Sequence, residues 1–245
     1  MIPLAKARMG IILSSSNRMV EPQLRHFAPA GLEVHVTRMR MSSKFGRTPQ
    51  QIADDIVAAA RLLADAKVDV IVFQATGVAM QMGEKGEARI MAEVSDATGT
   101  IALSATQAMV EALKALSLKK LVIVSPFDQK TNDHERAYLT ALGFEVLHDV
   151  GLGLEAGDRS TGVTPDRWVE TVVANARPEA EGYFLSGSNT AMMEAVAPIE
   201  RRLGKPAVNS TQASLWASTR RLAGKLGPVA YHKDLGRLFA QTPSA

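Results

Sequence analysis

Apolar and polar positions change rhythm repeatedly along the chain. A short apolar run at 10–13 ends abruptly in Ser14, Ser15, Ser16 and Asn17. Residues 34–41 alternate and begin β-branched, while 68–73 form a continuous apolar run, the mark of a strand covered on both faces. Further strands are predicted at 101–103, 121–124, 144–147, 183–185 and 207–208. Between strands the period lengthens. Ile52, Ile56, Val57, Ala60 and Leu63 fall on one helical face, opened by Thr48 as N-cap and Pro49 in the first turn. Other helices are predicted near 86–97, 105–116, 131–142, 165–177, 190–203 and 211–223. Strands alternating with helices predict an α/β fold with mostly parallel sheets flanked by helices. Ligands in such folds sit beyond the carboxyl ends of the strands.

The pattern also repeats. Residues 99–108 resemble 204–213, each a strand running into Thr-Gln-Ala at a helix start. Residues 11–17 resemble 122–128, and 73–76 resemble 185–188. Two pseudo-symmetric lobes are therefore expected, one from 1–106 and 216–245 and the other from 107–215, with a pocket between them.

Composition narrows the function classes. The hydrophobic fraction of 46% supports a sizeable core, and 28 basic against 25 acidic residues leave a net charge of only +3, which argues against a nucleic-acid partner. No apolar run reaches the roughly 18 residues of a membrane span, and the N-terminus lacks a signal-peptide core, so no membrane partner and a cytoplasmic location are expected. A homo-oligomer is compatible with the sequence. There is no cysteine, which removes disulfides, zinc–thiolate sites and thiol nucleophiles. His26, His35, His134, His148 and His232 show no metal-ligand spacing, and 151–154 is not a dinucleotide fingerprint, so neither a metal nor a nucleotide cofactor is expected. Met80, Met82, Met192 and Met193 read as core filler.

Chemistry is concentrated in four loops. Ser14 to Asn17 offers hydroxyls and an amide that suit either a carboxylate or the cap of the next helix. Gln74-Ala75-Thr76-Gly77 suits either an oxyanion site or an ordinary glycine turn. In Ser125-Pro126-Phe127-Asp128, Asp128 reads as a helix cap and Phe127 as an apolar wall. Ser186-Gly187-Ser188-Asn189-Thr190 joins a strand to a helix, where an anion site is natural; it lacks the G-x-S-x-G of a hydrolase elbow.

These loops carry a resemblance. Residues 10–17 look like the opening strand and loop of maleate isomerases, and Ser186-Gly187-Ser188-Asn189 resembles their second catalytic loop. Residues 199–208 and 235–239 resemble arylmalonate decarboxylase. The chain thus resembles that branch of the aspartate/glutamate racemase superfamily over nearly its whole length. The resemblance implies a two-lobed fold, small carboxylic-acid substrates, and no cofactor. It places Asn17, Thr76, Gly77 and Ser188 at oxyanion- or carboxylate-binding positions. It puts Ala75 and Gly187 where two cysteines stand, Phe127 where a tyrosine is common, and Gly157 where some relatives carry an asparagine. Cysteine-based racemase or isomerase chemistry is therefore not expected.

The leading expectation is a cofactor-independent enzyme working on a small mono- or dicarboxylic acid through an enediolate-type intermediate, as a decarboxylase, lyase or isomerase-like catalyst. Thr76, Ser186 and Ser188 are the candidate catalytic residues, with Ser186 or Ser188 as proton relay. Asn17, Ser15, Ala75, Gly77, Phe127, Gly187 and Asn189 are the candidate substrate-binding residues. Two alternatives remain open. One is a non-catalytic carboxylate-binding homologue. The other is a serine-dependent hydrolase or lyase, which needs a base such as His148 or His232.

Overall fold

The computed structural model describes residues 4–41, 48–154 and 158–240. Strands β1 (Ala7–Ser14), β2 (Leu32–Met39), β3 (Val70–Gln74) and β4 (Ile101–Ser104) form one sheet in the order β2-β1-β3-β4. Strands β5 (Lys120–Ser125), β6 (Glu145–Gly151), β7 (Gly182–Leu185) and β8 (Ala207–Asn209) form a second in the order β6-β5-β7-β8. Every pairing is parallel. The two orders match strand for strand. Each of the three sequence repeats therefore occupies equivalent places in the two lobes, at β1 and β5, β3 and β7, and β4 and β8.

The helices are α1 (Val20–Phe27), α2 (Pro49–Asp65), α3 (Thr76–Thr98), α4 (Ala105–Ala115), α5 (Gln129–Ala141), α6 (Asp158–Thr161), α7 (Pro165–Ala174), α8 (Val196–Leu203), α9 (Ser210–Arg221), α10 (Ala223–Leu226) and α11 (Gly236–Ala240). Thr48 caps α2 with Gln51 reaching back to it, and Asp128 accepts from the Thr131 N–H at 2.9 Å, as its position suggested. The repeated Thr-Gln-Ala has the same cause in both lobes. Ser104 and Asn209 are N-caps, and Gln107 and Gln212 close reciprocal capping boxes at the third helical residue. The two helices so started, α4 and α9, pack against each other. One apolar core runs from Met9 and Ile11 through Met109 and Leu215 to Phe184, joining the lobes. Met80, Met192 and Met193 are buried in it or in its neighbours, and Met82 packs alongside.

Two boundaries differ from the sequence reading. Helix α8 begins at Val196 rather than 190, because 188–195 is spent on turns at the strand end. Helix α3 begins at Thr76, ten residues before the predicted start, and is kinked at Gly83, whose φ of 67° breaks the helical path. Helices α6, α10 and α11 were not predicted, and α1 was expected only as the helix, given no bounds, that the Ser14–Asn17 loop could cap. Among the described residues no helix is long and apolar enough to cross a membrane.

Candidate active site

The carboxyl ends of β1, β3, β5 and β7 converge on a cavity of about 420 Å³ between the lobes, a size suited to a small ligand. Asn17, Thr76, Phe127 and Ser188 all line it, one from each of the four loops. Ala75, Gly77, Gly187 and Asn189 line it as well. Ser15 does not. It is exposed, its backbone N–H is held by the Met39 carbonyl at 2.8 Å, and Ser14 and Ser16 take the wall instead. Ser186 does not line it either. It is fully buried and its hydroxyl points into α5.

The first lobe supplies hydrogen-bond donors. Asn17 does both things its loop allowed. Its Oδ1 accepts from the Met19 and Val20 N–H groups at 3.1 and 3.0 Å, which fixes the start of α1. Its Nδ2 faces the other lobe and donates to Ser188 Oγ at 3.3 Å. The stretch read as a possible glycine turn is a helix start. Ala75 is the N-cap of α3, without a side-chain cap. The first-turn N–H groups of a helix have no carbonyl partner within it, and Thr76, Gly77 and Val78 all line the cavity. The positive end of α3 thus meets the ligand space. Gln74 and Thr76 are 1% and 4% exposed, and Gln74 Oε1, Gln74 Nε2 and Thr76 Oγ1 have no hydrogen-bond partner among the described residues. Buried polar atoms left this way cost stability unless something polar meets them.

The second lobe supplies shape. Phe127 is held by a zipper: Leu152 N–H to Ser125 O at 3.1 Å, Gly153 N–H to Phe127 O at 2.9 Å, and Leu154 N–H to Pro126 O at 2.8 Å. Gly151 has no room for a side chain because the Phe127 carbonyl abuts it. Gly187 has φ of +127°, a region that side chains rarely adopt, and a Cβ there would stand 2.9 Å from Pro126 Cδ. Gly157 lies outside the described residues.

Sequence reasoning missed Glu135. This side chain, 1% exposed, accepts from the Ser186 hydroxyl at 2.6 Å, while its Oε2 has no partner among the described residues. Burial pushes its carboxyl up to about 7, opposed by the Ser186 hydrogen bond. The available signal was a carboxylate at the helical spacing of the buried positions Asn132 and Leu139. The histidines named as bases fall elsewhere. His148 pairs with Asn175 Oδ1 at 3.2 Å, and His232 stacks near Phe27 and His26 with ring centroids 5.1 Å away. Neither lines the cavity, so no histidine shares it with Ser188 as a hydrolase base, and the Ser186 hydroxyl donates to Glu135 instead.

The family profile described as arylmalonate decarboxylase matches residues 10–239. An arylmalonate decarboxylase from Bordetella bronchiseptica is 25% identical over 193 residues, 78% of this chain and 79% of that protein. A maleate isomerase from Nocardia farcinica is 30% identical over 254 residues, 96% of each chain. The solved structure of unliganded arylmalonate decarboxylase superposes with a TM-score of 0.85 at 20% identity, over 96% of this chain and 100% of that one. The sequence match spans nearly the whole chain, the two lobes carry the same fold, and the protein belongs to the arylmalonate decarboxylase family, in the branch it shares with the maleate isomerases, as a member without cysteine.

Proposed function

We propose that this enzyme decarboxylates a small substituted dicarboxylic acid, without a cofactor, through an enediolate intermediate. The observation that carries the reading is the set of unpartnered donors at the start of α3. Gln74, Thr76 and the first-turn N–H groups meet in one cavity with the Asn17 amide and the Ser188 hydroxyl. When a malonate-type C–C bond breaks, its electron pair moves onto the remaining carboxylate. Donors fixed at that carboxylate stabilise the charge without reorganising. Asn17 and Ser188 would hold the retained carboxylate, and Thr76 and Gly77 would meet the developing oxyanion. Phe127 and Leu154 offer an apolar wall for a substituent. With Ala75 and Gly187 at the cysteine positions, no thiol of this chain moves the proton.

The test uses phenylmalonate as substrate, with product and carbon dioxide followed by NMR. Thr76→Val should lower kcat roughly 100-fold, as loss of an oxyanion donor does. Asn17→Asp keeps the acceptor that Met19 and Val20 need but replaces the amide donor with a charge, so KM should rise at least about tenfold with the melting temperature little changed. Binding of phenylmalonate without turnover of it or of other substituted malonates would make the chain a carboxylate-binding protein instead.

A further inference from the structure

Resting on that reading, we propose that Glu135, acting through Ser186, is the proton reservoir that quenches the enediolate over Gly187. Four observations point the same way. Ser186 is bonded directly to Gly187, which lines the cavity, and its hydroxyl lies 2.6 Å from Glu135 Oε1. Thr131 lines the cavity too, and Glu135 stands one helical turn deeper on the same face of α5. Glu135 is 1% exposed and its second oxygen has no partner among the described residues, so the carboxyl is not there to anchor an ion pair. Gly187, finally, lines the cavity by its backbone alone, because Pro126 fills the place a side chain would take.

Several polar and charged groups around α5 pair with one another. Arg136 pairs with Asp149 of β6, and Glu87 of α3 accepts from Tyr138 at 3.0 Å, with Glu84 on the same side. His134 lies with Glu84 and Tyr138 on the α3 side of the helix. None of these bonds to Glu135, whose carboxyl is pushed up by burial and held back only by the Ser186 hydrogen bond. Burial holds the carboxyl protonated up to about pH 7, so it has a proton to give near neutrality.

The step balances. The C–C bond to the departing carboxylate breaks, carbon dioxide leaves, and the electron pair forms the enediolate. In the relay the Ser186 hydroxyl, which donates to Glu135 in the resting structure, turns from α5 towards the cavity, passes its proton through one water to the α-carbon, and accepts another from the protonated Glu135. Glu135 ends as a carboxylate and regains a proton from solvent by the same route before the next turnover. The proton gained is the one that replaces the lost carboxylate.

The experiment compares wild type, Glu135→Gln, Ser186→Ala and the double variant on phenylmalonate across pH 5–9. Glu135→Gln preserves the shape and the acceptor for Ser186. It should lower kcat roughly 100-fold with KM within about twofold, the scale of lost general acid catalysis. Wild-type kcat should fall as pH rises through about 7, and that limb should vanish in the variant. Two links of one relay act as a unit, so the double variant should be no slower than the slower single one. Infrared difference spectra provide a readout independent of turnover. A protonated carboxyl band at pH 6 should be missing in Glu135→Gln and should shift when phenylmalonate binds to wild type. If wild type turns over and Glu135→Gln keeps both its rate and its pH limb, the relay is wrong while the decarboxylase reading stands. If wild type binds phenylmalonate without turnover, the decarboxylase reading falls and the relay with it. Absence of the carboxyl band overturns the relay in either case.

Discussion

Ala75 and Gly187 stand at the two positions where the family resemblance places cysteines, and they are not equivalent replacements. Ala75 already carries a Cβ and has a negative φ of −148°, outside the left-handed region. Gly187 has φ of +127° and Pro126 against its missing Cβ. Gly187→Cys should therefore lose about 1–3 kcal/mol of stability from the strained backbone alone, whereas Ala75→Cys should stay within about 0.5 kcal/mol of wild type. Urea denaturation of the two variants checks this, and equal stabilities would mean that the 187 backbone relaxes freely. The sequence showed that both thiols were gone. It did not show that only one site would readily take a thiol back, because a glycine's φ is set by the turn around it rather than by its neighbours in sequence. The same holds for Ser15, whose place in the wall went to Ser14 and Ser16 once the chain turned.

Elements read well where one physical signal dominated. The helix starts after Thr48, near 105 and near 211, and the strand carried by the apolar run 68–73, are local features, and local chemistry announces them. The start of α3 was illegible because Thr76 to Met82 lies between the strand and the kink at Gly83, too short for a period to show. Helix α5 hid its Glu135 differently. Only the packing of the second lobe reveals that this face of the helix is sealed. That burial has a measurable consequence for stability. In the unfolded chain Glu135 titrates near 4.5, and in the fold near 7. The folded state binds the proton more tightly, so the stabilisation is fully present below 4.5 and is lost as pH rises towards and through 7. Glu135→Gln is neutral throughout. Its stability should match wild type at pH 4.5 and exceed it at pH 8 by about 3 kcal/mol. Denaturation curves at the two pH values measure the difference. Burial also raises Glu87 and Glu200, and they keep their own slopes in both proteins, so the comparison isolates Glu135.

Across the whole molecule the duplication is close in backbone and broken in chemistry. Phe73 pairs with Ser104 in the first lobe as Leu185 pairs with Asn209 in the second, so Gln74 and Ser186 occupy equivalent places, Gln74 in the cavity wall and Ser186 behind it. The first position holds an amide, which has no proton to give near neutral pH. The second holds a hydroxyl backed by Glu135. A proton that arrives from one lobe reaches one face of a planar enediolate. Chemistry that inverts a stereocentre needs a donor and an acceptor on opposite faces, and the first lobe offers neither a thiol nor, among the described residues lining the cavity, an ionisable side chain. A prochiral malonate with a methyl and a phenyl substituent, incubated in D₂O, should therefore give a product with one deuterium at the α-carbon and one enantiomer in large excess. The excess should not decay on longer incubation, and either purified enantiomer, returned to the enzyme, should take up no further deuterium. By the same argument maleate should not be converted to fumarate at a comparable rate. Chiral chromatography and NMR of the α-position read all of these at once. A racemic product, or α-exchange of both enantiomers, would place a second proton-transfer group in the first lobe and restore to the chemistry the symmetry that the backbone retains.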